Sequence, residues 1–285
     1  MDVGLQQFLD YGVGASITAT CGKVTSGEVG PNDSALVHRE GIGAQDDVVG
    51  GAVAFGGNQT FTVESELLLA YALRSSFTTP SLTDLTFAGG KNLAGRQHTG
   101  AKIDTLALHC AFNEGLTADI AWLATSDAAY ATAPKGYSSD KTWEWGGASA
   151  VMPDSMNLQV QSWDLNINNN LSLQYYQDTS KSGARRWPDA IHVGSQEVTL
   201  RADVLVQPDA TIIDDIIGDT LGVALTATLT LLGGTSGTDT MTIALTSLSR
   251  KSAPVPLSAG GGLITYSMEW EAKKDASVIS ISVAA

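Results

Sequence analysis

Residues able to bind a metal or catalyse a reaction are few in this chain, and their spacing does not group them. The paired acids at 46–47 lie in a glycine-rich stretch that could hold a cation, but the ligand pattern of a calcium loop is missing. There is no Gly-x-Ser-x-Gly elbow, phosphate loop or dinucleotide fingerprint. Four histidines have no cysteine, histidine or acidic residue at the spacing of a metal site: His38, His98, His109 and His192. We therefore expect no catalytic residue, metal or cofactor, and a protein that is not an enzyme.

Three acids, Asp214, Asp215 and Asp219, form a second candidate site in the segment 209–221. Pro208 precedes this segment, and its isoleucines recur at helical spacing, which predicts an amphipathic helix. A solvated acidic face on such a helix explains the three acids more simply than a metal or acid–base site does.

A basic cluster, Lys181, Arg185 and Arg186, stands beside Trp187 in a segment that we predict to be a loop between strands. In an acidic protein, exposed cations can meet the acidic surface of another copy of the chain. A solvated loop explains the cations alone equally well. The neighbouring tryptophan favours a contact, because aromatic and arginine side chains dominate protein interfaces. We therefore predict that all four residues lie at an interface between subunits.

The composition of this 285-residue chain indicates a β-rich protein with an acidic surface. It has 30 glycines, only 16% charged residues and a formal net charge of −14, which is typical of many short strands and turns. Affinity for DNA depends on Lys and Arg side chains that displace counterions. The surface therefore disfavours stable DNA binding, but it can let DNA pass.

Cysteine content and hydrophobicity predict the compartment. Two cysteines, Cys21 and Cys110, do not make a disulfide framework in a chain of this length, so we expect reduced thiols. The first residues lack the basic and apolar regions of a secretory signal. No run reaches the ~18 apolar residues of a membrane helix. We expect synthesis in the cytoplasm and no membrane partner.

The first half of the chain predicts an arm, a helix and a hairpin. Residues 1–60, rich in glycine, are interpreted as an extended arm and loop, either ordered against a neighbour or a flexible surface loop. A helix is predicted over 62–73, with Thr62 as its cap. Alternating apolar residues predict a hairpin of strands over 101–112 and 116–124.

The second half predicts mostly strands. The stretch 126–153 has low hydrophobicity and is the best candidate for a linker between the halves. Beyond it we predict strands near 157–166, 170–176 and 196–206, the helix over 209–221, and four final strands over 222–232, 239–248, 263–271 and 278–283.

A helix followed by antiparallel strands occurs once in each half, over about 62–124 and 209–283. This pattern predicts two related units, each a small β-sandwich or partial barrel with one packed helix. The fold class is therefore mainly β with a few short helices (α+β). We expect a glycine-rich N-terminal arm over 1–60, a first unit with its linker over 61–155, and a second unit over 156–285.

The segment 156–206 resembles the signature region of the tail tube, or major tail, proteins of long, non-contractile-tailed bacteriophages. In that family a strand ends in an Asn-rich turn, a loop leads to an Arg/Pro-x-x-Ile segment, and a strand of the form Gly-x-x-Glu-Val-Thr follows. The hairpin over 100–123 is similar to the strand pair that precedes this region. The matching residues here are Asn166 to Asn170, Arg186, Pro188, Ile191, Gly194, Glu197, Val198 and Thr199.

The resemblance implies a virion structural protein, made in the host cytoplasm, that self-assembles into the tail tube through which the genome is ejected. It implies tandem β-sandwich units with flanking helices, whose sheets join between subunits into a tubular barrel, and rings that stack through arms and loops. Family members with two tandem tube folds form trimeric rings that imitate hexameric ones. We therefore expect a pseudo-hexameric trimer, with a hexameric ring as the alternative. Tail tip, terminator and tape-measure proteins are the other implied partners.

Polar residues on the outward faces of the predicted strands suit a lumen that double-stranded DNA crosses without specific binding. Alternation alone leaves open whether they face a channel or the outer solvent. The alternative function is a β-rich binding or adhesin-like virion module that recognises a glycan or receptor. The candidate lumen residues are Asp119, Thr199, Asp203, Thr226, Thr228, Glu269 and Glu271.

Overall fold

The described part of the chain consists almost entirely of β-strands, as the composition predicts. A computed structural model describes residues 7–38, 47–73, 81–91, 94–130, 141–145, 150–151, 159–176, 187–206, 225–234, 237–252, 264–272 and 279–284. The helix α1 spans Leu67–Ala70. The strands are β1 (Gln7–Val13), β2 (Ala19–Thr20), β3 (Gly22–His38), β4 (Asp47–Val63), β5 (Leu85–Lys91), β6 (Ala94–Ala111), β7 (Thr117–Ala124), β8 (Ser126–Tyr130), β9 (Lys141–Glu144), β10 (Ala150–Val151), β11 (Gln159–Asn168), β12 (Leu171–Gln174), β13 (Ala190–Val193), β14 (Glu197–Val206), β15 (Leu225–Gly234), β16 (Asp239–Ser252), β17 (Ile264–Ala272) and β18 (Ile279–Ala284).

The first helix is much shorter than predicted. The expected cap, Thr62, lies inside β4 instead of at a helix start. It pairs with Thr117 of β7 on one side and with Lys23 of β3 on the other. Ladder hydrogen bonds to two strands therefore outweigh the local helix preference of this segment. The predicted helix over 209–221 lies outside the described residues.

The glycine-rich segment near the N-terminus is a long β-hairpin. β3 and β4 pair from Gly22 opposite Val63 to His38 opposite Asp47. The interpretation of residues 1–60 as an arm and loop is therefore wrong about the loop where the structure describes β3 and β4. Pairing between β3 and β4 orders this segment as strands, although its glycine-rich composition is typical of turns.

The stretch 126–153, predicted as a linker, contains strands. β8 pairs with β6, and β9 and β10 both pair with β15. Its low hydrophobicity reflects short strands at the margin of a sheet, where few side chains are fully enclosed. The four final strands are confirmed as β15 to β18, with ends that differ by a few residues from the prediction.

In the first half of the chain, β6 pairs with three other strands. Its N-terminal part pairs with β5 and β8, and its C-terminal part with β7. β7 pairs in turn with β4, and β4 with β3, while β1 pairs with β5 and β2 with β1. Asn113 closes the turn from β6 to β7 with a φ of 62°, a conformation that asparagine tolerates better than most residues.

In the second half, β16 pairs with β15, β17 and β18. β17 pairs with β14, and β14 with β11. β11 also pairs with β6, so strands from both halves of the chain belong to one continuous sheet. β12 and β13 pair only with each other among the described strands.

The hydrophobic core lies on one side of these strands. On β7 the buried residues are Ala118, Ile120, Trp122 and Ala124, in the alternation that the sequence predicts. The indole of Trp122 stacks on Phe87 of β5 with ring centroids 4.5 Å apart. Removing such a buried aromatic side chain costs roughly 3–5 kcal/mol of stability. This contact holds β5 over the core side of β7.

Asn169 is a buried polar residue that joins the two halves. Its Nδ2 donates to the carbonyl oxygens of Ala72 and Ile103, both at 3.0 Å, and its Oδ1 accepts from Gln196 Nε2 at 2.8 Å. Its backbone N–H donates to the carbonyl oxygen of Asp104 at 2.7 Å. Because unpaired buried polar groups cost about 1–3 kcal/mol each, this amide fixes the start of β12 on β6.

A second buried polar group joins β6, β7 and β8. His98 is fully buried, and its Nδ1 accepts a hydrogen bond from Trp122 Nε1 at 3.1 Å. Its Nε2 lies 3.3 Å from Asp127 Oδ1, and that carboxylate is already paired with the guanidinium of Arg96. Burial first, and then the charge of Arg96, lower the pKa of His98 to about 4. The imidazole is therefore neutral at pH 7, with its proton on Nε2.

We expect the free energy of unfolding to fall as the pH decreases from about 6.5 to about 4. His98 accepts a proton at higher pH in the unfolded chain than in the folded one, so acid favours unfolding. At 1.36 kcal/mol per pKa unit the loss is on the order of 3 kcal/mol. The His98→Gln variant keeps an acceptor for Trp122 but does not titrate, so its stability should depend less on pH. Urea unfolding of both proteins at pH 7 and pH 5 measures this, and equal pH dependence would contradict a neutral His98.

Candidate functional site

The side of the sheet opposite the core carries a broad polar surface. Directly opposed residues in a ladder point to the same side, so rows of side chains can be followed from strand to strand. The first row is Ser26, Thr60, Asp119, Ala107, Asn166, Thr199, Glu271 and Ser249. The second is Lys23, Thr62, Thr117, His109, Asp164, Arg201 and Glu269. The third is Glu28, Asn58, Ala121, Thr105, Asn168 and Glu197. A fourth, shorter row is Ala111, Ser162, Asp203 and Ser267. We call these four rows the polar face.

Five of the seven candidate lumen residues lie on the polar face. Asp119, Thr199 and Glu271 share the first row, although they come from three strands. Glu269 lies in the second row, next to the first, and Asp203 lies in the fourth row, beyond the second. The ladder therefore brings together residues that the sequence separates by up to half the chain.

The remaining two candidates lie on β15. Thr228 alternates with the buried residues Ala227 and Leu229, so it points away from the core. Thr226 is exposed at the register shift that precedes Ala227. Both side chains therefore face away from the hydrophobic core.

Lysine, arginine and histidine side chains on or beside the polar face lie close to carboxylates. Lys251, at the end of β16, lies 2.9 Å from Glu269, and this hydrogen bond raises the pKa of the lysine. Arg201 Nη2 lies 3.8 Å from Asp203. His109 Nδ1 lies 2.6 Å from Asp164, across the ladder that joins the two halves. The carboxylates of the face outnumber its cations: Glu28, Asp119, Asp164, Glu197, Asp203, Glu269 and Glu271.

The arrangement of these charges disfavours a tight polyanion site. Such a site needs several cations that are free to contact phosphates. Exposed ion pairs contribute little to stability, roughly 0–1 kcal/mol each. Their effect here is to mask positive charge on a surface that is acidic overall.

Of the four residues predicted to form a basic contact between subunits, the structure describes only Trp187. Lys181, Arg185 and Arg186 lie outside the described residues. Trp187 is partly buried and packs edge-on against Phe55 of β4, with ring centroids 5.1 Å apart. Part of the Trp187 side chain is therefore buried against Phe55 within the chain. Its contact between subunits stays a prediction.

A groove of about 810 Å³ opens beside β3, β4 and β7. Glycines at Gly56 and Gly57 form part of its wall, and a Cβ at Gly57 would lie 2.5 Å from the Trp122 ring. Glu28 is the one charged residue among those that line it. Backbone and small side chains dominate the lining, so the groove offers no acid–base pair or nucleophile.

Sequence reasoning missed several residues of the polar face and the amide that positions it. Asp164 and Glu197 each alternate with buried neighbours on β11 and β14, and that local signal could have found them. Asn169 belongs to the Asn-rich turn, and nothing in its local sequence indicates that its side chain is buried. Its partners lie in distant segments of the chain.

The described residues contain no group of three or more His, Cys, Asp or Glu side chains that could hold a metal ion. Within the same residues, no helix has the length and apolar character needed to cross a membrane.

A comparison with protein families gives a match that covers nearly the whole chain. The family model described as phage tail tube protein matches residues 9–272. No curated protein matches the chain. The matched range includes the β3–β4 hairpin, the polar face and the junction between β6 and β11. The chain belongs to the phage tail tube protein family, a family of structural virion tail proteins and not of enzymes.

Proposed function

We propose that this protein self-assembles into stacked rings that form a phage tail tube and that its polar face lines the lumen through which the genome is ejected. The observation that carries the proposal is the continuous polar face that spans both halves of the chain, with more carboxylates than cations. DNA binds tightly where Lys and Arg displace its counterions. A lumen of carboxylates, hydroxyls and amides lets double-stranded DNA slide without a specific site.

Assembly through sheet edges is supported by the strand order. Among the described strands, β3 pairs only with β4, so its other edge meets no described strand. A long edge of unpaired N–H and C=O groups readily pairs with another chain. Joining the sheets of neighbouring subunits would satisfy this edge and close the ring.

A tandem organisation is supported by the order of strand pairing. In the first half the order is β3, β4, β7 and β6, with β5 and β8 both on β6. In the second half the order is β11, β14, β17 and β16, with β15 and β18 both on β16. β1 lies on β5 as β10 lies on β15. These six pairings of one set each have a counterpart in the other, whereas β1–β2, β9–β15 and β12–β13 have none among the described strands.

Irregular positions correspond as well, which makes a chance match of the two sets implausible. A residue with positive φ interrupts β6 at Gly100 (60°) and β16 at Ser247 (59°). A few residues later each strand has a register shift against its partner, beside Ile103 and beside Arg250. The residues opposite these two are both buried tryptophans, Trp122 and Trp270.

We infer two repeats, from β1 to β8 and from β9 to β18. The hairpin of β3 and β4 then belongs to the first repeat, whereas the sequence pattern predicted a separate arm before it. Two repeats per chain favour a ring of three chains, because three chains supply six equivalent positions. A ring of six chains is the alternative.

Stacking of the rings would use the outer part of the β3–β4 hairpin. β4 pairs with β7 only from Phe55 to Thr62, so the hairpin extends beyond the sheet. A two-stranded ribbon is marginally stable alone in water, which favours contact with a neighbouring subunit or ring. Lys181, Arg185, Arg186 and Trp187 are proposed contacts between subunits. Tail tip, terminator and tape-measure proteins are the further partners that membership of the family suggests.

Purified protein should form tubes of uniform diameter with a stain-filled lumen at high concentration. Pairing of open sheet edges drives the assembly, so tubes should form without DNA. Negative-stain electron microscopy and sedimentation velocity measure the outcome. A protein that stays monomeric at high concentration, or one that binds a glycan without self-association, would contradict the proposal.

A thiol at position 119 should become accessible only to small reagents once tubes form. In unassembled Asp119→Cys protein, a small maleimide and a maleimide attached to a folded protein should both react. In tubes the large reagent should be excluded, because position 119 faces the lumen. Ala129→Cys, at an exposed position of β8, is the matched control and should react with both reagents in both states.

The native thiols do not interfere with this measurement, since Cys21 and Cys110 are buried. Burial raises the pKa of Cys110 to about 12 and raises that of Cys21 further. Equal labelling of the Asp119→Cys and Ala129→Cys tubes by the large reagent would show that the polar face is outside the tube.

A further inference from the structure

We propose that the second row of the polar face is a contact site for DNA phosphates, at which Lys23, Arg201 and Lys251 meet the duplex as it moves along the lumen. We call these three residues the cation band. The inference rests on the tube and the lumen proposed above, and it names the side chains that the moving polyanion touches. Its contacts are independent of base sequence, because they are made to phosphates.

Lysine, arginine and histidine are confined to one row of the polar face. Among the four described rows, Lys23, His109 and Arg201 all belong to the second, although they come from three strands. Lys251 of β16 reaches the same row, because its Nζ lies 2.9 Å from Glu269 Oε1. The other three rows contain five carboxylates and no Lys, Arg or His side chain. A duplex that passes the described face therefore meets positive charge at a single level.

The sheet geometry makes this level a band around the lumen. The second row crosses β3, β4, β7, β6, β11, β14 and β17 in turn. Neighbouring rows on one strand are about 6.6 Å apart, since they are separated by two residues. On β14 the second row lies between the fourth and the first. In the proposed ring each chain adds one arc to a band of cations that has carboxylates on both sides.

In each ion pair of the cation band, the cation is the more exposed partner. The side chains of Lys23, Arg201 and Lys251 are between 53% and 68% exposed. The carboxylates beside them are between 2% and 34% exposed, and they belong to Glu64, Asp203 and Glu269. The acids therefore lie nearer the sheet than the positive groups do. A polyanion on the open side of the face reaches the cations first.

The ion pairs of the band are loose enough to exchange a carboxylate for a phosphate. Exposed ion pairs contribute little to stability, so the release of one cation is easy. Lys23 Nζ lies 3.8 Å from Glu64 Oε1, and Arg201 Nη2 lies 3.8 Å from Asp203 Oδ1, both beyond normal hydrogen-bond length. Arg201 Nε donates to Ser267 Oγ at 2.8 Å, which orients the guanidinium. Because a carboxylate competes for each cation, the contacts guide the duplex without holding it.

Lysine footprinting of native tubes tests the contact. Tubes are acetylated briefly with a small amine reagent in three samples: alone, with a short DNA duplex, and with a peptide nucleic acid duplex of equal length, which has no phosphates. DNA should protect Lys23 and Lys251 at low salt and not at high salt, because phosphate contacts are salt-dependent. The uncharged duplex should protect neither. Lys141, an exposed lysine outside the four rows, should react equally in all three samples.

Two glutamates of β17 separate a contact at the band from general repulsion by the face. Glu269→Gln removes the carboxylate that pairs with Lys251, and Glu271→Gln removes an equal charge from the first row. Co-sedimentation of a fluorescent duplex with tubes at several salt concentrations measures the affinity. Glu269→Gln should steepen the slope of log affinity against log salt by about 0.9 for each chain contacted, because it frees a cation. Glu271→Gln should leave the slope as it is in the native protein.

Removing a cation should have the opposite effect. Arg201→Gln should lower the same slope by about 0.9 for each chain contacted. Glutamate variants with equal slopes, or native tubes in which DNA protects Lys23 and Lys251 no better than the uncharged duplex, would overturn the cation band and leave the tube function standing. A loss of stability in urea without any change in slope would assign the pairs to strand pairing alone and overturn it too. Native protein that forms no tubes would overturn both.

Discussion

Backbone hydrogen bonding at the edges of the sheet is the constraint on which this structure depends. A strand interior to a sheet satisfies its N–H and C=O groups on both sides, and an edge strand leaves one side open. β11 has both of its edges paired within the chain, because it lies between β14 and β6. β3 does not, because its second edge meets no described strand. In the proposed ring, the remaining edges would satisfy one another.

The period-two geometry of strands then divides the molecule into a core side and a polar side. Trp122, Trp163 and Trp270 are buried on the core side, and Asp119, Thr199 and Glu271 lie in one row on the other. A single ladder therefore gives both stability and a continuous acidic surface. Because the junction between β6 and β11 preserves this row, both halves of the chain share one polar surface.

Local alternation was enough to predict the β6–β7 hairpin, β14 and the last four strands, because a period of two is visible in each segment alone. It was not enough for the β3–β4 hairpin, whose glycines carry no alternation. Its order comes from pairing between its two strands and, over Phe55 to Thr62, with β7. Thr62, the predicted helix cap, lies in β4 instead, where it pairs with Thr117 of β7. The role of Asn169 depends on carbonyl groups of Ala72 and Ile103, which are remote in sequence. The five candidates on the polar face were predicted singly, but only the ladder shows that they share a surface.

The proposed tandem repeats make the central claim a statement about symmetry. Six sheet junctions around a ring of three chains would be of two kinds, three within chains and three between chains, built on the same pattern. End-on class averages of the tubes by electron cryo-microscopy measure this directly. The account predicts three-fold symmetry with six similar lobes around the lumen. A ring with six chains, or a ring in which the polar face points outward, would contradict it.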